Sequence, residues 1–374
     1  MNFPARTVAA LVVVALAAAS TAAQSSPTVG AVFSMTNAAT GNEIIAFDRA
    51  ADGTLTQSPT TYPTTGMGSG AALESQGSLI GGRDASHYWL AAVNAGSAQI
   101  SLFEVTAGTS TLQMRDTVSS GGDKPISLAL RNDVLYVLNA GNPNNVTGFS
   151  IDSQGKLTQI PNSMRPLSAA ATDPAQVSWN PTGESLLVTE RQTNLIDIFD
   201  MDPSTNLATS MASLPSNGPT PFGFAFLGSK KLVMTETFNG QTDASAVSSF
   251  SLQSQTLTLI DGSVPTTETA ACWVAAARKH AYVYTANTGS NSISGFHLKK
   301  GGQLTLLDAS GVTATTGNAP ADLTLANERY LYVLNGQDGT ISGFKVNRAT
   351  GALTSVGPAV SGLPTTGAAG LVSF

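Results

Sequence analysis

The stretch LYVLNGQDGTISGFKVNRATGALT, Leu331 to Thr354, holds three short apolar runs separated by Gly-containing turns. In LYVLN the apolar residues follow one another almost unbroken, as in a strand covered on both faces. In ISGFKV they alternate with small or polar residues around Phe344, as in a half-buried strand whose ring packs between sheets. The third run carries Leu353 and is entered through Gly351. Tyr282 to Thr305 repeats the same order.

Followed outward, the pattern recurs about every 50 residues along the chain, a period that marks a repeat architecture. The aromatic slot appears as IIAFDR, ISLFEV, VTGFSI, IDIFDM, VSSFSL, ISGFHL and ISGFKV, which aligns Phe47, Phe103, Phe149, Phe199, Phe250, Phe296 and Phe344. Each is preceded by a continuous strand, and these strands end in turn at Asn37, Asn94, Asn139, Glu190, Glu236, Asn287 and Asn335. A leucine strand follows each Phe, and a fourth strand precedes the continuous one, as in Pro125 to Leu128 or Asp322 to Leu325. Four short strands per repeat with no helical period predict an all-β, seven-bladed β-propeller built of four-stranded antiparallel blades. The first repeat begins at its second strand, Ala31 to Asn37, and its missing strand is found at the other end, Ala368 to Phe374. The first blade is therefore expected to be closed by the C-terminal strand, which removes a free sheet edge.

Residues 1–23 read as a secretory signal: Arg6, an apolar stretch from Val8 to Ala19, then Ser20, Thr21, Ala22 and Ala23. The stretch is shorter than the roughly 20 residues that span a bilayer. The expectation is a secreted, extracellular propeller domain over residues 24–374 with no membrane span. A formal net charge of −6 makes nucleic acid an unsuitable partner, and only 11% of residues are charged. With one cysteine, Cys272, no intramolecular disulfide forms. Asn145-Val146-Thr147 is a glycosylation sequon, so a glycoprotein is expected in a eukaryotic secretory route.

In an antiparallel blade the ends of the second strands and the starts of the innermost strands share one face. That face is expected to carry a ring of five Asn and two Glu. The asparagines, among them Asn139, Asn287 and Asn335, suit either turn chemistry or ligand binding. Glu is not favoured in tight turns, so Glu190 and Glu236, in adjacent blades, are the candidate general acid and base, with Arg191 beside the first. Lys124, Phe222 and Trp273 near the innermost-strand starts, and Arg165 in a long interblade connection, complete the candidate binding surface. A ring of carboxylate and amide oxygens also suits Ca²⁺. No zinc spacing or phosphate-cradling motif is present, so no other cofactor is expected. The three histidines lie away from this face, which leaves a serine nucleophile without a base.

The repeated LYVLN, ISGF and GxLT pattern, the segment Val188 to Asn194, and the segments Pro219 to Phe224 and Cys272 to Val274 resemble the lactonase-like seven-bladed propellers, the group of bacterial 6-phosphogluconolactonase and fungal carboxymuconate cyclase. The resemblance covers the chain beyond its leader. It implies hydrolysis of a sugar lactone or reversible lactone closure of a dicarboxylate. The cyclase is thought to use a His, a Glu and arginines on one face; here Lys124-Pro125-Ile126-Ser127 stands where the His is expected, and no cluster of Arg and Lys awaits a phosphate. Two readings follow: an extracellular lactonase or lactonising isomerase acting on a small lactone or organic acid, and a non-catalytic propeller that binds an extracellular protein or glycan.

Overall fold

The computed structural model describes Met1 and residues 28–374; the expected signal segment lies outside the described residues. Seven antiparallel sheets follow one another along the chain. Blade 1 consists of Ala369–Ser373 innermost, then Thr28–Met35, Glu43–Ala50 and Leu55–Pro63. The inner strands of blades 2 to 7 are Leu79–Arg83, Pro125–Arg131, Pro174–Trp179, Pro221–Phe226, Ala271–Ala277 and Pro320–Ala326. Their second strands, Tyr88–Asn94, Val134–Asn139, Ser185–Glu190, Lys231–Glu236, Tyr282–Asn287 and Tyr330–Asn335, are almost wholly buried. In blades 3, 6 and 7 the outer strand is split in two, and its second piece pairs with the start of the third strand.

The aromatic slot sets the register. Phe47, Phe103, Phe149, Phe199, Phe250, Phe296 and Phe344 sit in third strands, opposite Val32, Leu90, Leu135, Leu186, Leu232, Val283 and Leu331. All seven rings are buried in clusters that include residues of the neighbouring blade. Removing one is expected to cost about 3–5 kcal/mol, since each fills space between neighbouring blades and its loss leaves a cavity there.

Ring closure follows the predicted scheme: Val32, Phe33 and Ser34 face Ser373, Val372 and Leu371. Asp322 on the inner strand of blade 7 accepts the Leu371 N–H at 3.0 Å, tying the last blade to the C-terminal strand. Its carboxyl is wholly buried, and desolvation pushes its pKa up to about 8.

Each inner strand is led by a residue in the left-handed region: Glu74, Lys124, Asp173, Thr220, Ala270, Ala319 and Gly367 have φ between 50° and 83°. This repeated bend turns the chain from the outer edge of one blade into the channel. In blade 2 the stretch Ser75–Ser78 intervenes between the bend and the strand, and it crosses the channel. Gln76 donates its backbone N–H to Ala175 O at 3.1 Å. The Gln76 amide pairs in both directions with the backbone of Val274, at 2.9 and 3.1 Å. Ser75 Oγ bonds Ile126 O, so this segment links blades 3, 4 and 6 and plugs the channel below its mouth.

Candidate active site at the channel mouth

The ring of second-strand ends is present, but it does not face the solvent. Asn37, Asn94, Asn139, Glu190, Glu236, Asn287 and Asn335 are all fully buried. In blades 2 to 7 each braces its own blade. The third strand carries a polar residue two positions before the Phe, namely Ser101, Thr147, Asp197, Ser248, Ser294 and Ser342. Asn94, Asn287 and Asn335 donate to Ser101, Ser294 and Ser342 at 2.8 to 2.9 Å. Asn139 reaches Asn145 Oδ1 and the Ser120 carbonyl. Blade 1 departs from this pattern, since Asn37 lies just past its strand and bonds Ala71 and Gly367 carbonyls.

The two glutamates follow from the same brace. Asn139 meets a carbonyl of the interblade connection, whereas Glu236 meets the Gly218 N–H at 2.8 Å, with Ser248 and Ser263 hydroxyls at 2.6 Å. Surroundings made only of donors select an acceptor-only carboxylate. Glu190 likewise accepts from the Ser168 N–H and hydroxyl and from Thr193. Its third-strand partner is itself a carboxyl, Asp197, which also takes the Ser213 hydroxyl at 2.5 Å. Desolvation first, and then hydrogen bonding to Glu190, raises the Asp197 pKa above the ordinary carboxylate range. The expectation of a Glu190 and Glu236 acid–base pair is therefore corrected: each is enclosed in its own blade, where water does not reach it. No shared Ca²⁺ cradle arises either: each of the seven residues is buried at its own blade, and the two glutamates are filled by donors there. Among the described residues no three His, Cys, Asp or Glu side chains are grouped to hold a metal ion.

Arg191 does reach the mouth. Its guanidinium bonds Glu74 Oε2 at 2.8 Å and Asp173 Oδ1 at 2.6 Å, two of the left-handed lead residues. It lies over the Phe222 ring, 5.3 Å from the centroid, and Phe222 meets Trp273 edge-on at 5.1 Å. Trp273 is fixed by its indole N–H on Ser75 O at 3.0 Å. Arg191, Phe222 and Trp273 are thus brought together, with Glu74 and Asp173, which no residue-type signal in the sequence singled out. The available signal was positional: four of the seven leads, Lys124, Asp173, Thr220 and Ala319, stand directly before a proline.

Beside this cluster is a cavity of about 470 Å³. Trp273, Ser75, Ala319, Ala321, Ala368 and Ala369 line it, together with the half-buried Thr288 and the exposed Gln337. Glu74 is the only ionisable side chain that lines it. The neighbouring Cys272 thiol is pushed up to about 12, chiefly by desolvation, which keeps it protonated and a poor nucleophile.

The remaining candidates lie elsewhere. Lys124 is exposed at the lead position of blade 3. Arg165 is spent on the carbonyls of Asn162, Met164 and Ala208 at the blade 3 to blade 4 rim. Asn145 of the sequon is buried and accepts from Asn139 and Thr147, so its amide is not presented to solvent. No helix among the described residues is long and apolar enough to cross a membrane.

The model of the lactonase, seven-bladed β-propeller family matches residues 40–272 and 243–366. No curated protein matches. Among solved structures, a Lactobacillus plantarum protein superposes with TM-score 0.73 at 15% identity, covering 93% of this chain and 100% of its own. The Pseudomonas aeruginosa periplasmic gluconolactonase PpgL gives 0.69 at 15% identity, over 92% of this chain and 98% of its own. A candidate 6-phosphogluconolactonase from Bacteroides fragilis gives 0.70 at 18% identity, over 92% and 98%. At these identities the likeness is one of fold.

Proposed function

This chain belongs to the lactonase, seven-bladed β-propeller family, and on that premise we propose that it hydrolyses a small uncharged lactone at the channel mouth. The observation that carries the reading is the mouth cavity with Glu74 as its one ionisable lining residue, held by Arg191. Glu74 removes a proton from water, and the water oxygen adds to the lactone carbonyl carbon. The bond from that carbon to the ring oxygen then breaks, and the proton passes to the released oxygen, giving the open hydroxy acid. Gln337, exposed at the rim with no side-chain hydrogen bond in the fold, is placed to donate to the carbonyl oxygen as charge develops there.

An uncharged sugar lactone fits better than a dicarboxylate, because Arg191 already shares its guanidinium between two carboxylates. The gluconolactonase name of the P. aeruginosa neighbour supports the same class. The apolar leader supports an exported enzyme, acting on lactones outside the cell.

The test is a panel of five- and six-membered lactones, gluconolactone included, followed by acid release. Wild type is expected to open at least one of them. Glu74→Gln should lower kcat/KM by about 10²–10⁴-fold, the scale of a lost general base, without changing the melting temperature. Inactivity of wild type on the whole panel, or full activity of Glu74→Gln, overturns the reading.

A further inference from the structure

The fold gathers what the sequence scatters. Every Lys and Arg after Arg191 falls in blades 5 to 7, at the face opposite the channel mouth. Lys230 and Lys231 stand where blade 5 turns from its inner to its second strand. Arg278 and Lys279 occupy the same turn of blade 6, and Lys299 and Lys300 its next turn on that face. Blade 7 adds Arg329, Lys345 and Arg348. All but Lys231 are exposed, and none forms an ion pair among the described residues. The single acid in these turns, Glu328, accepts the backbone N–H of Lys279.

The same face of blades 1 to 4 is different: its exposed unpaired cations, Arg83 and Lys156, are isolated, and most of its acids are used within the fold. Asp52, Asp152 and Asp202 cap their own turns through Thr54, Gln154 and Ser204. Asp84 holds His87 and Trp89, and Glu104 pairs with Arg115. The cations of blades 5 to 7 are held only lightly: Lys231 donates to the Lys300 and Gly301 carbonyls, Arg348 reaches Asn327 O at 3.4 Å, and Arg329 lies over the Tyr330 ring, while the side chains of the other six have no hydrogen-bond partner among the described residues. Three of these cations, Arg329, Lys345 and Arg348, line an open depression of about 670 Å³ together with Asn347 and Thr354.

We propose that this basic sector binds a linear anionic polysaccharide, seated on the blade 7 depression and running across the turns of blade 6. A concentration of unpaired cations on a chain of net negative charge creates a local field that attracts polyanions. Single-stranded nucleic acid asks in addition for exposed rings on which bases stack. The tyrosines of these turns, Tyr282 and Tyr330, are buried. A lipid surface asks for apolar side chains to insert. Among the described residues from Thr28 onward, the exposed large apolar side chains, Val29, Met67, Tyr88, Met164, Met211 and Leu259, all lie outside these turns. Sulfate or carboxylate groups along a sugar chain need only the spaced point charges that Lys and Arg supply. The proposal does not rest on lactone hydrolysis, since this sector and the mouth cavity are on opposite faces.

Fluorescence polarisation with a labelled sulfated octasaccharide and an oligogalacturonate of equal length tests it, the tighter ligand naming the anion. Wild type should bind at least one, and the affinity should fall as salt rises. The triple variant Arg329→Ser, Lys345→Ser, Arg348→Ser should weaken binding about tenfold or more, as lost phosphate-like contacts do. Arg131→Ser with Lys156→Ser, on the same face of blade 3, should leave binding within about twofold. Melting temperatures of both variants show whether they are folded; the triple variant, at exposed side chains, should match wild type, and the control should lose little through the one Arg131 contact to Thr182 O. The proposal is overturned by failure to bind either oligosaccharide, by equal losses in both variants, or by tighter binding of a single-stranded oligonucleotide of equal charge. A salt-sensitive dimer that the triple variant abolishes, without oligosaccharide binding, would also overturn it and assign the sector to a second copy of the chain.

Discussion

Glu236 and Glu74 carry the same carboxyl group toward the same end of the propeller, yet one is part of the scaffold and the other part of a site. Glu236 ends a second strand and is enclosed by three donors, one from the connection leading into blade 5 and two from the third and outer strands of that blade. Glu74 leads an inner strand, is about 62% exposed, lines the cavity, and has one fixed partner, Arg191, which leaves its second carboxylate oxygen without a protein donor. Residue type therefore says little about function here. What decides is whether the surrounding donors exhaust the carboxylate's acceptor capacity, or leave part of it for a ligand.

The most severe way to break the comparison is to remove the enclosed carboxyl. Glu236→Ala leaves the buried Gly218 N–H and Ser248 hydroxyl and the half-buried Ser263 hydroxyl without this acceptor, at a cost of about 3 kcal/mol. Denaturant unfolding should show a lower midpoint with an unchanged slope. Glu74→Ala, by contrast, should stay within about 0.5 kcal/mol of wild type, as exposed substitutions do. Equal stability of the two variants would erase the distinction between brace and site.

A second contrast uses pH. Asp322 and Asp197 are buried carboxyls whose folded pKa values lie above the unfolded value of 3.8. Folding therefore holds protons that the unfolded chain releases, so their contribution is fully present below about pH 3.8 and is lost as pH rises through the folded values, near 8 for Asp322. Stability should decline between about pH 4 and pH 8, each such group adding a slope of at most about 1.4 kcal/mol per pH unit. Asp322→Asn removes one of these titrations. Its melting temperature, measured across that range, should fall less steeply than that of wild type; an identical slope would show that Asp322 ionises at no cost in the closed ring.

The fold was legible because one large ring per blade must be buried at one register, and Phe at a fixed slot cannot be mistaken for a surface choice. The C-terminal closing strand was legible for a similar reason: a propeller repeat that begins at its second strand leaves an edge that something must pair. The site was only partly legible. Arg191, Phe222 and Trp273 stood out by type, but Glu74 and Asp173 are united by a backbone bend and not by a shared side chain. Glu190 and Glu236 looked exceptional among asparagines because the donors that select them, such as the Ser168 and Gly218 N–H groups, come from interblade connections with no repeat of their own. The basic sector was invisible for a third reason. Its cations come in ones and twos between residues 230 and 348, and only the ring brings those turns side by side.

The smallest expected effect sharpens the mouth cluster itself. Arg191 bridges Glu74 and Asp173 with separate nitrogens, a fork that a lysine ammonium does not reproduce. Arg191→Lys keeps the charge, and because the pairs are partly exposed it should cost less than about 1 kcal/mol of stability. If Arg191 positions Glu74 without touching the substrate, kcat should fall about tenfold while KM changes little, as when an interaction made only in the transition state is weakened. The double variant with Glu74→Gln should then be no slower than Glu74→Gln alone, because residues that act through one another do not add. Additive losses would mean that Arg191 contacts the substrate directly. In that case the uncharged lactone is the wrong class, and a carboxylate-bearing one takes its place.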